Sequence, residues 1–273
     1  MNGIKIFFKD LYKSCIFRLA SSNAGIYRFY LKLYTPKPNS VEAFMDLISK
    51  GNDDFFVFQV GANDGMTHDP LHKFIKRDGW KGILMEPQPY VFNTFLSKVY
   101  KKDQGITTIN AAIGEKDGEA TLFKISFSNE RWATGLARFD RTLLEQLIKE
   151  GRLDKKIKKS RAKPPENKAD WISEEVIAMR SPHSIFRDYN VKTIDLLMID
   201  TEGFDFEVIK LINLDKVLPK AIVFEDMHLS ESDYNDCKIM LSKHNYSFKR
   251  LGPNTIAWLP ELEKKIKHEW LNE

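Results

Sequence analysis

The chain has 273 residues, an apolar content of 42% and a formal net charge of +4. This length suffices for one full α/β domain with a sizeable core, and no apolar run reaches the roughly 18 residues that a membrane span requires. The two cysteines, Cys15 and Cys237, lie far apart and give neither a disulfide framework nor a zinc spacing, which favours a reducing, cytoplasmic compartment.

The positive charge is unevenly distributed along the chain. Residues 1–40 hold seven Lys/Arg against one acid, and residues 152–168 hold eight against two. The remainder is net acidic by about eight charges, whereas a dedicated nucleic-acid binder carries basic residues over the fold itself. We therefore expect an acidic enzyme body with two basic attachments and no nucleic-acid partner.

Residues 1–35 show helical spacing of apolar positions, with lysines on the other side. The apolar stripe comprises Ile4, Phe7, Phe8, Leu11, Cys15 and Leu19. Charges at Lys9 and Asp10 interrupt any signal-peptide core. The helix either rests on an anionic membrane surface or packs on the domain or a second subunit, and we favour packing. The sequence thus predicts a cytoplasmic protein, with peripheral membrane contact as the alternative.

A strand, a glycine turn, a helix and a second strand are predicted between residues 55 and 87. The run 55–60 is rich in β-branched and aromatic residues, which is typical of a buried strand. It ends in Gly61-Ala62-Asn63-Asp64-Gly65, whose residues tolerate the positive φ of a tight turn. The second strand ends on Glu86. Such sheets bind nucleoside-bearing cofactors at the carboxyl ends of their strands, and a carboxylate can accept two hydrogen bonds from a ribose diol.

Three interpretations of this unit compete. A dinucleotide site needs G-x-G-x-x-G, so that a pyrophosphate rests on the helix N-terminus, but only two glycines are present and Asp64 would face a phosphate. S-adenosylmethionine carries a sulfonium and an ammonium and no phosphate, so it fits better. A plain α/β turn with an unrelated Glu86 is the structural alternative, which the paired acid disfavours.

The next elements are a helix over residues 89–101 and a third strand over residues 106–114. The small residues that end this strand, Ala111 and Ala112 among them, would let an adenine ring lie close to the backbone. Residues 119–126 are predicted to form one strand of a hairpin.

The pattern weakens into an insertion at about residues 127–180. Residues 139–148 have helical spacing, and residues 174–179 predict a short strand. The charged run 152–168 is typical of a solvated, mobile loop. Its functional alternative is a lid whose lysines meet a phosphorylated or otherwise anionic substrate.

Carboxylates recur at the ends of two later strands. The strand over residues 194–199 ends in Asp200-Thr201-Glu202-Gly203, and the strand over residues 219–224 ends in Glu225, three residues before His228. Buried negative charge requires a cation or a hydrogen-bond donor, which a sulfonium, a substrate hydroxyl or a metal ion would supply. Helix capping by Asp200 or Thr201 is the structural alternative.

Taken in order, these blocks resemble the FkbM family of S-adenosylmethionine-dependent methyltransferases. The matching blocks are Val60-Gly61-Ala62-Asn63-Asp64-Gly65, Glu86-Pro87, Asn110-Ala111-Ala112-Ile113-Gly114, Ile199-Asp200-Thr201-Glu202-Gly203 and Asn254-Thr255-Ile256-Ala257-Trp258. The resemblance implies a class I methyltransferase (Rossmann-like) α/β fold, with a seven-stranded, mostly parallel sheet flanked by helices and the last strand antiparallel. We expect an N-terminal helical extension (1–50), the methyltransferase domain (51–260) and a C-terminal helical tail (261–273).

The resemblance also implies the cofactor contacts. The expected residues are Gly61, Asn63, Asp64, Gly65, Asp69, Glu86, Ala112, Asp200 and Glu202. Glu86 would bind the ribose and Ala112 would lie near the adenine, while the glycine turn would line the methionine end. Many members have an acid where this chain has Gln59, so the ammonium would contact Asp64 or Asp200 instead.

The implied reaction is O-methylation of a hydroxyl, often on a sugar or polyketide, by in-line transfer. Positioning and desolvation supply most of the catalysis, and Asp200, Glu225 or His228, or a metal held by such residues, would activate the hydroxyl. We assign no metal ligands. The acceptor is expected to be a small molecule or glycan. The alternatives are a catalytically silent binding module on the same fold and, less favoured, an NAD-linked oxidoreductase.

Overall fold

The computed structural model describes residues 13–160 and 162–266. Most of the N-terminal apolar stripe, from Ile4 to Leu11, and residues 267–273 of the expected C-terminal helix therefore lie outside the described residues. None of the described helices is both long and apolar enough to cross a membrane.

The described strands are β1 (Phe56–Val60), β2 (Lys81–Met85), β3 (Ile106–Ile109), β4 (Ala112–Ile113), β5 (Gly118–Ile125), β6 (Ile172–Arg180), β7 (Leu196–Ile199), β8 (Ala221–Glu225), β9 (Ser247–Leu251) and β10 (Asn254–Trp258). The described helices are α1 (residues 13–22), α2 (Gly25–Lys32), α3 (Val41–Ser49), α4 (Leu71–Asp78), α5 (Pro89–Val91), α6 (Ser97–Tyr100), α7 (Arg131–Thr134), α8 (Arg141–Lys149), α9 (Asp154–Lys159), α10 (Pro182–Asp188), α11 (Asp205–Ile212) and α12 (Glu231–Lys243). A π-helical segment, Phe92–Leu96, joins α5 to α6.

Seven of the described strands form one sheet in the order β3-β2-β1-β7-β8-β10-β9. Neighbouring strands are parallel except at β10, which runs antiparallel to β8 and β9. The strand order reverses between β1 and β7, which creates the crevice where open α/β sheets bind ligands. The predicted fold class is confirmed.

Two apolar clusters cover the faces of this sheet because alternate strand residues point to opposite sides. Val57 packs into the cluster shared with α3 and α4, whereas Phe58 packs into the cluster shared with α10, α11 and α12. Both side chains are fully buried. The result is a sheet between two helical layers, with the functional edge at the carboxyl ends of the parallel strands.

The predicted strand over residues 106–114 is wrong as a single element. The main-sheet strand ends at Ile109, because the Asn110 side chain donates hydrogen bonds to the backbone oxygens of Glu86 (2.8 Å) and Pro87 (3.1 Å) and turns the chain. Strand β4 then joins a second sheet, ordered β4-β6-β5. Strand β5 pairs antiparallel with β6, the next strand along the chain. The helices α7 to α9 of the insertion lie between the two strands, so no tight hairpin turn joins them.

The insertion has an apolar core of its own. Leu144, Ile148, Leu153 and Trp171 are buried together in it. The charged run 152–168 was predicted to be a solvated, mobile loop; it contains α9, whose residues are not buried, and Leu153 attaches it to this core. At the C-terminus, a 3₁₀ turn, Pro260–Leu262, stands where the α-helical tail was expected to begin.

The N-terminal helices α1 and α2 pack against the domain. Ala20, Tyr27 and Leu31 are buried at this contact. The buried Lys76 ammonium of α4 donates to Ala20 O (3.0 Å) and Val99 O (2.8 Å) and pairs with Asp103. A buried ammonium is costly unless it is paired and hydrogen-bonded. Because Ala20 O of α1 supplies one of these hydrogen bonds, Lys76 links α1 to the domain.

Candidate active site

The turn after β1 brings the backbone of two strands into close contact. Gly61 has a φ of +87°, and a Cβ there would lie 1.9 Å from Asp200 O. The N–H groups of Gly61 and Ala62 both donate to Met85 O at the end of β2 (3.1 and 2.8 Å). Only glycine fits the position after β1, because a side chain would strike the backbone of the residue that follows β7.

Glu86 connects this turn to β2. Its carboxylate accepts hydrogen bonds from Asn63 N (2.9 Å), Gln88 N (2.8 Å) and Gln88 Nε2 (3.2 Å). A carboxylate offers about four acceptor positions, so roughly one remains for a ribose hydroxyl, where the sequence suggested two. Burial raises the pKa of Glu86 to about 7, against the lowering effect of these hydrogen bonds.

A cleft of about 690 Å³ opens between the glycine turn, β4 and the insertion. Six of the predicted cofactor residues line it: Gly61, Asn63, Glu86, Ala112, Asp200 and Glu202. These residues come from the ends of β1, β2 and β7 and from β4. The strand order therefore brings together residues that lie far apart in the sequence, and the cleft volume includes space that is open to solvent.

Three other predicted cofactor residues do not line this cleft. The Asp64 carboxylate accepts from Met66 N and Thr67 N (2.9 and 2.7 Å), and Gly65 is in contact with Tyr100, whose hydroxyl donates to Gly65 O (2.7 Å). Asp69 is half-buried, with its Oδ2 atom fully buried, and it accepts from Leu71 N (2.9 Å). Burial raises its pKa to about 7. In this structure these residues shape the turn and the start of α4.

The Asp200 carboxylate is not used to cap α11. Asp205 holds that turn instead, by accepting from Thr201 Oγ1 (2.9 Å) and from the N–H groups of Thr201 and Gly203 (3.3 Å each). The Asp200 carboxylate makes no hydrogen bond to the described residues, and desolvation raises its pKa. The capping alternative is therefore wrong, and the carboxylate faces the cleft.

Glu202 lines the cleft, and beside it Glu225 and His228 complete a cluster that we term the cleft mouth. His228 Nε2 lies 3.5 Å from Glu202 Oε2 and 3.6 Å from Glu225 Oε2. Desolvation, followed by the nearby Asp200 charge, raises the pKa of Glu202 to about 7 and that of Glu225 to about 8. Desolvation and Arg138 lower the pKa of His228. The three predicted catalytic residues, Asp200, Glu225 and His228, thus lie around one opening, next to Glu202.

Two arginines from the insertion also reach the cleft, and the sequence reasoning missed them. Arg138 Nη2 lies 3.3 Å from Glu202 Oε2. Arg131 lines the cleft, and its buried Nε has no hydrogen-bond partner among the described residues. The available signal was the small-residue run Ala133-Thr134-Gly135 next to Arg131, because small residues allow close approach to a ligand.

The site geometry and the comparisons define the class of protein. A strand order with one antiparallel strand, a glycine turn at the switch point and an acid after β2 define a class I S-adenosylmethionine-dependent methyltransferase. The sequence model of the family described as "Methyltransferase FkbM domain" matches residues 59–248, well over half of the chain. The chain belongs to the FkbM methyltransferase family.

Several solved structures of methyltransferases are similar to this chain at low sequence identity. The FkbM methyltransferase of Methylobacillus flagellatus KT has 13% identity and a TM-score of 0.44, covering 90% of this chain and 59% of that one. A putative O-methyltransferase from Klebsiella pneumoniae has 8% identity and a TM-score of 0.43, covering 89% of each chain. Fibrillarin from Aeropyrum pernix, with natively bound S-adenosyl-L-methionine, has 13% identity and a TM-score of 0.37, covering 75% of this chain and 66% of that one. No curated protein sequence matches the chain.

The residues of the cleft fit S-adenosylmethionine, the cofactor of this class. Glu86 retains an acceptor position for a ribose hydroxyl, and the carboxylate of Asp200 suits a cationic group. The glycine at position 61 leaves no Cβ between the turn and β7. The family match identifies the chain as a methyltransferase, so the oxidoreductase alternative is wrong.

Proposed function

We propose that this methyltransferase methylates a hydroxyl of a sugar, a glycan or a secondary metabolite. The observation that carries the proposal is the cluster of proton-accepting groups at the cleft mouth, where His228 Nε2 lies 3.5 Å from Glu202 and 3.6 Å from Glu225. An alcohol is a weak nucleophile until its proton is removed or shared, and a positioned base provides this. Such a cluster is not needed by nucleophiles that react without losing a proton first.

Each side chain has a distinct task in this proposal. S-adenosylmethionine, when bound, supplies an electrophilic methyl group on a sulfonium. Gly61 and Glu86 position the cofactor, and Asp200 faces its cationic end. His228 accepts the hydroxyl proton as the O–C bond forms, and Glu202 and Glu225 orient the imidazole and stabilise the imidazolium. Arg131 and Arg138 of the insertion line the cleft. In this proposal they help to exclude water from the reacting atoms.

The acceptor class follows from the chemistry of the mouth. Carboxylates and an imidazole are hydrogen-bond acceptors, and a polyhydroxylated molecule offers several O–H donors to them. The family resemblance also points to sugars and polyketides. A purely apolar acceptor would desolvate these carboxylates without offering them any new hydrogen bond, which is costly.

A divalent cation is the second way in which this cluster could activate a hydroxyl. One ligand atom each from Glu202, Glu225 and His228 lies within 4.8 Å of the others. A cation held there would lower the pKa of a bound hydroxyl as a Lewis acid. Activity that is lost after chelation and restored by Mg²⁺ or Mn²⁺, but not by monovalent salt, would favour the cation over His228 as the base.

The test is an acceptor screen with S-adenosylmethionine. Formation of S-adenosylhomocysteine would be followed with glycosides, polyols and hydroxylated polyketides, with amines and thiols as comparison nucleophiles, and the methylated atom would be located by NMR. We expect turnover on hydroxyl acceptors alone. His228→Ala and Glu225→Gln should lower kcat about 10²–10⁴-fold with unchanged S-adenosylhomocysteine affinity. The control Glu119→Gln, at an exposed residue of β5, should leave both kcat and this affinity unchanged.

Two results would contradict the proposal. Methylation of amines or thiols in preference to hydroxyls would overturn the acceptor class. Binding of S-adenosylhomocysteine with no turnover on any acceptor would favour the catalytically silent module.

A further inference from the structure

Helix α2 exposes a continuous apolar stripe on its outer side. Ile26 is 73% exposed, Phe29 66%, Tyr30 66% and Leu33 71%. These residues are spaced i, i+3, i+4 and i+7, so they lie on one helical face. Isolated exposed apolar residues are ordinary on protein surfaces, but a contiguous patch of them marks an interaction site.

The inner side of α2 packs against the domain, so the exposed stripe is a different face of the helix from the one that contributes to the core. Tyr27 and Leu31 are buried against the domain. The Tyr27 hydroxyl and His72 Nε2 are hydrogen-bonded at 2.9 Å, and His72 Nδ1 lies 3.1 Å from the hydroxyl of Tyr100. Because α2 is anchored in this way, the domain presents the stripe in a fixed orientation.

Two basic residues lie along one side of the apolar stripe. At 100° per residue, Arg28 and Lys32 occupy the arc between Phe29 and the buried side, and both are exposed. Neither forms an ion pair with any of the described residues. Residues 1–40 as a whole carry seven Lys/Arg against one acid. An apolar stripe bordered by lysine and arginine is the pattern of a helix that lies in the interface of an anionic bilayer.

We propose that α2 docks the enzyme on an anionic membrane surface. Phe29, Leu33 and their neighbours insert at the headgroup boundary, and Arg28 and Lys32 contact anionic lipid headgroups. A second copy of the chain is the weaker occupant for two reasons. An eight-residue helix is only about 12 Å long, which is short for an interface that buries about 800 Å² per partner. Two such faces would also bring their like charges together.

The proposal is tested with the full chain and lipid vesicles. Sedimentation with phosphatidylcholine vesicles, with and without phosphatidylserine, measures binding and its salt dependence. We expect binding to the anionic vesicles that weakens with added salt. Phe29→Ser/Leu33→Ser should weaken it about tenfold or more, and Arg28→Gln/Lys32→Gln should weaken it to a similar degree. Ile239→Ser, a control at an apolar residue of α12 that is 54% exposed, should have no effect.

Binding of S-adenosylhomocysteine by each variant checks that it is folded. No binding of the folded wild-type protein to anionic vesicles would overturn the proposal. Vesicle binding that survives the Phe29/Leu33 substitution undiminished would also overturn it, since another surface would then be responsible. A wild-type dimer that becomes monomeric in this variant, without any vesicle binding, would assign the stripe to a second copy.

Discussion

Replacing Glu86 with glutamine removes one charge from the cofactor cleft while it preserves the size of the side chain. The wild-type carboxylate is buried and accepts three hydrogen bonds, one from Asn63 and two from Gln88. In Glu86→Gln one oxygen becomes an NH₂ group. If the remaining oxygen keeps the two Gln88 donors, the NH₂ group faces Asn63 N–H, and it also replaces the acceptor position left for the ribose.

The magnitude follows from the loss of charge at that contact. A hydrogen bond to a charged group contributes about 1.5–3 kcal/mol and a neutral one about 0.5–1.5 kcal/mol. The ribose contact should therefore lose about 1–1.5 kcal/mol, or about tenfold in affinity. The unpaired Asn63 N–H costs about 1–3 kcal/mol, so the melting temperature should fall by several degrees.

The affinity difference between the wild type and Glu86→Gln should also depend on pH, because burial raises the pKa of the Glu86 carboxyl group. Because the pKa of Glu86 is raised to about 7, the wild-type group is largely neutral at about pH 6 and charged at about pH 8. The difference in affinity between the wild type and Glu86→Gln should therefore be small at the lower pH and largest at the higher one.

Calorimetric titration with S-adenosylhomocysteine at both pH values measures this effect, with Glu119→Gln as the matched control. A folded Glu86→Gln protein that binds like the wild type at about pH 8 would refute the ribose contact. An affinity difference that does not change with pH would refute the shifted carboxylate.

Three further predictions concern the turn, the insertion and the pH dependence of folding. Gly61→Ala should lower the melting temperature and abolish S-adenosylhomocysteine binding, because its Cβ would lie 1.9 Å from Asp200 O at a φ of +87°; unchanged binding would contradict the close approach. Arg131→Gln should weaken S-adenosylhomocysteine binding about tenfold, because the buried Nε has no hydrogen-bond partner among the described residues and is free to donate to the cofactor, and Arg131→Lys should restore binding only in part; equal binding by all three proteins would exclude a cofactor contact. The melting temperature of the ligand-free protein should fall between about pH 6.5 and pH 8, as measured by scanning calorimetry. Asp69 and Glu86 have folded pKa values raised to about 7, so the stability present below their unfolded values is lost as pH rises through about 7. His72 opposes this fall only in part, because its pKa is lowered to about 3 from 6.5 and most of its own gain in stability is complete once the pH has passed 6.5; a rising melting temperature would contradict the prediction.

The sequence was most informative where one structural requirement is local. A strand followed by Gly61 and Asn63, and a second strand followed by Glu86, can be recognised without knowing the fold, because a sharp turn with positive φ restricts the residue types. The order of these blocks then indicated the sheet topology and the cofactor class. Asp200 could be placed at the same edge, since parallel strands deliver their carboxyl ends together.

Side-chain direction within the turn was not readable from the sequence. Asp64, Gly65 and Asp69 belong to the same motif as Gly61, but they hydrogen-bond or pack behind the turn rather than in the cleft. The direction depends on contacts with distant residues, such as the Tyr100 hydroxyl on Gly65 O. A motif specifies which residues are close in sequence, and only packing decides which of them face a ligand.

The chain by itself determined the strand pattern, the glycine turn, the acids of the site and the basic character of the N-terminus. Only the tertiary structure decided that β4 leaves the main sheet, that Arg131 and Arg138 enter the cleft and that one face of α2 stays exposed. These features arise from contacts between distant segments, such as Asn110 on the backbone of Glu86. Periodicity reports which side of an element is apolar, but not whether another part of the chain covers it.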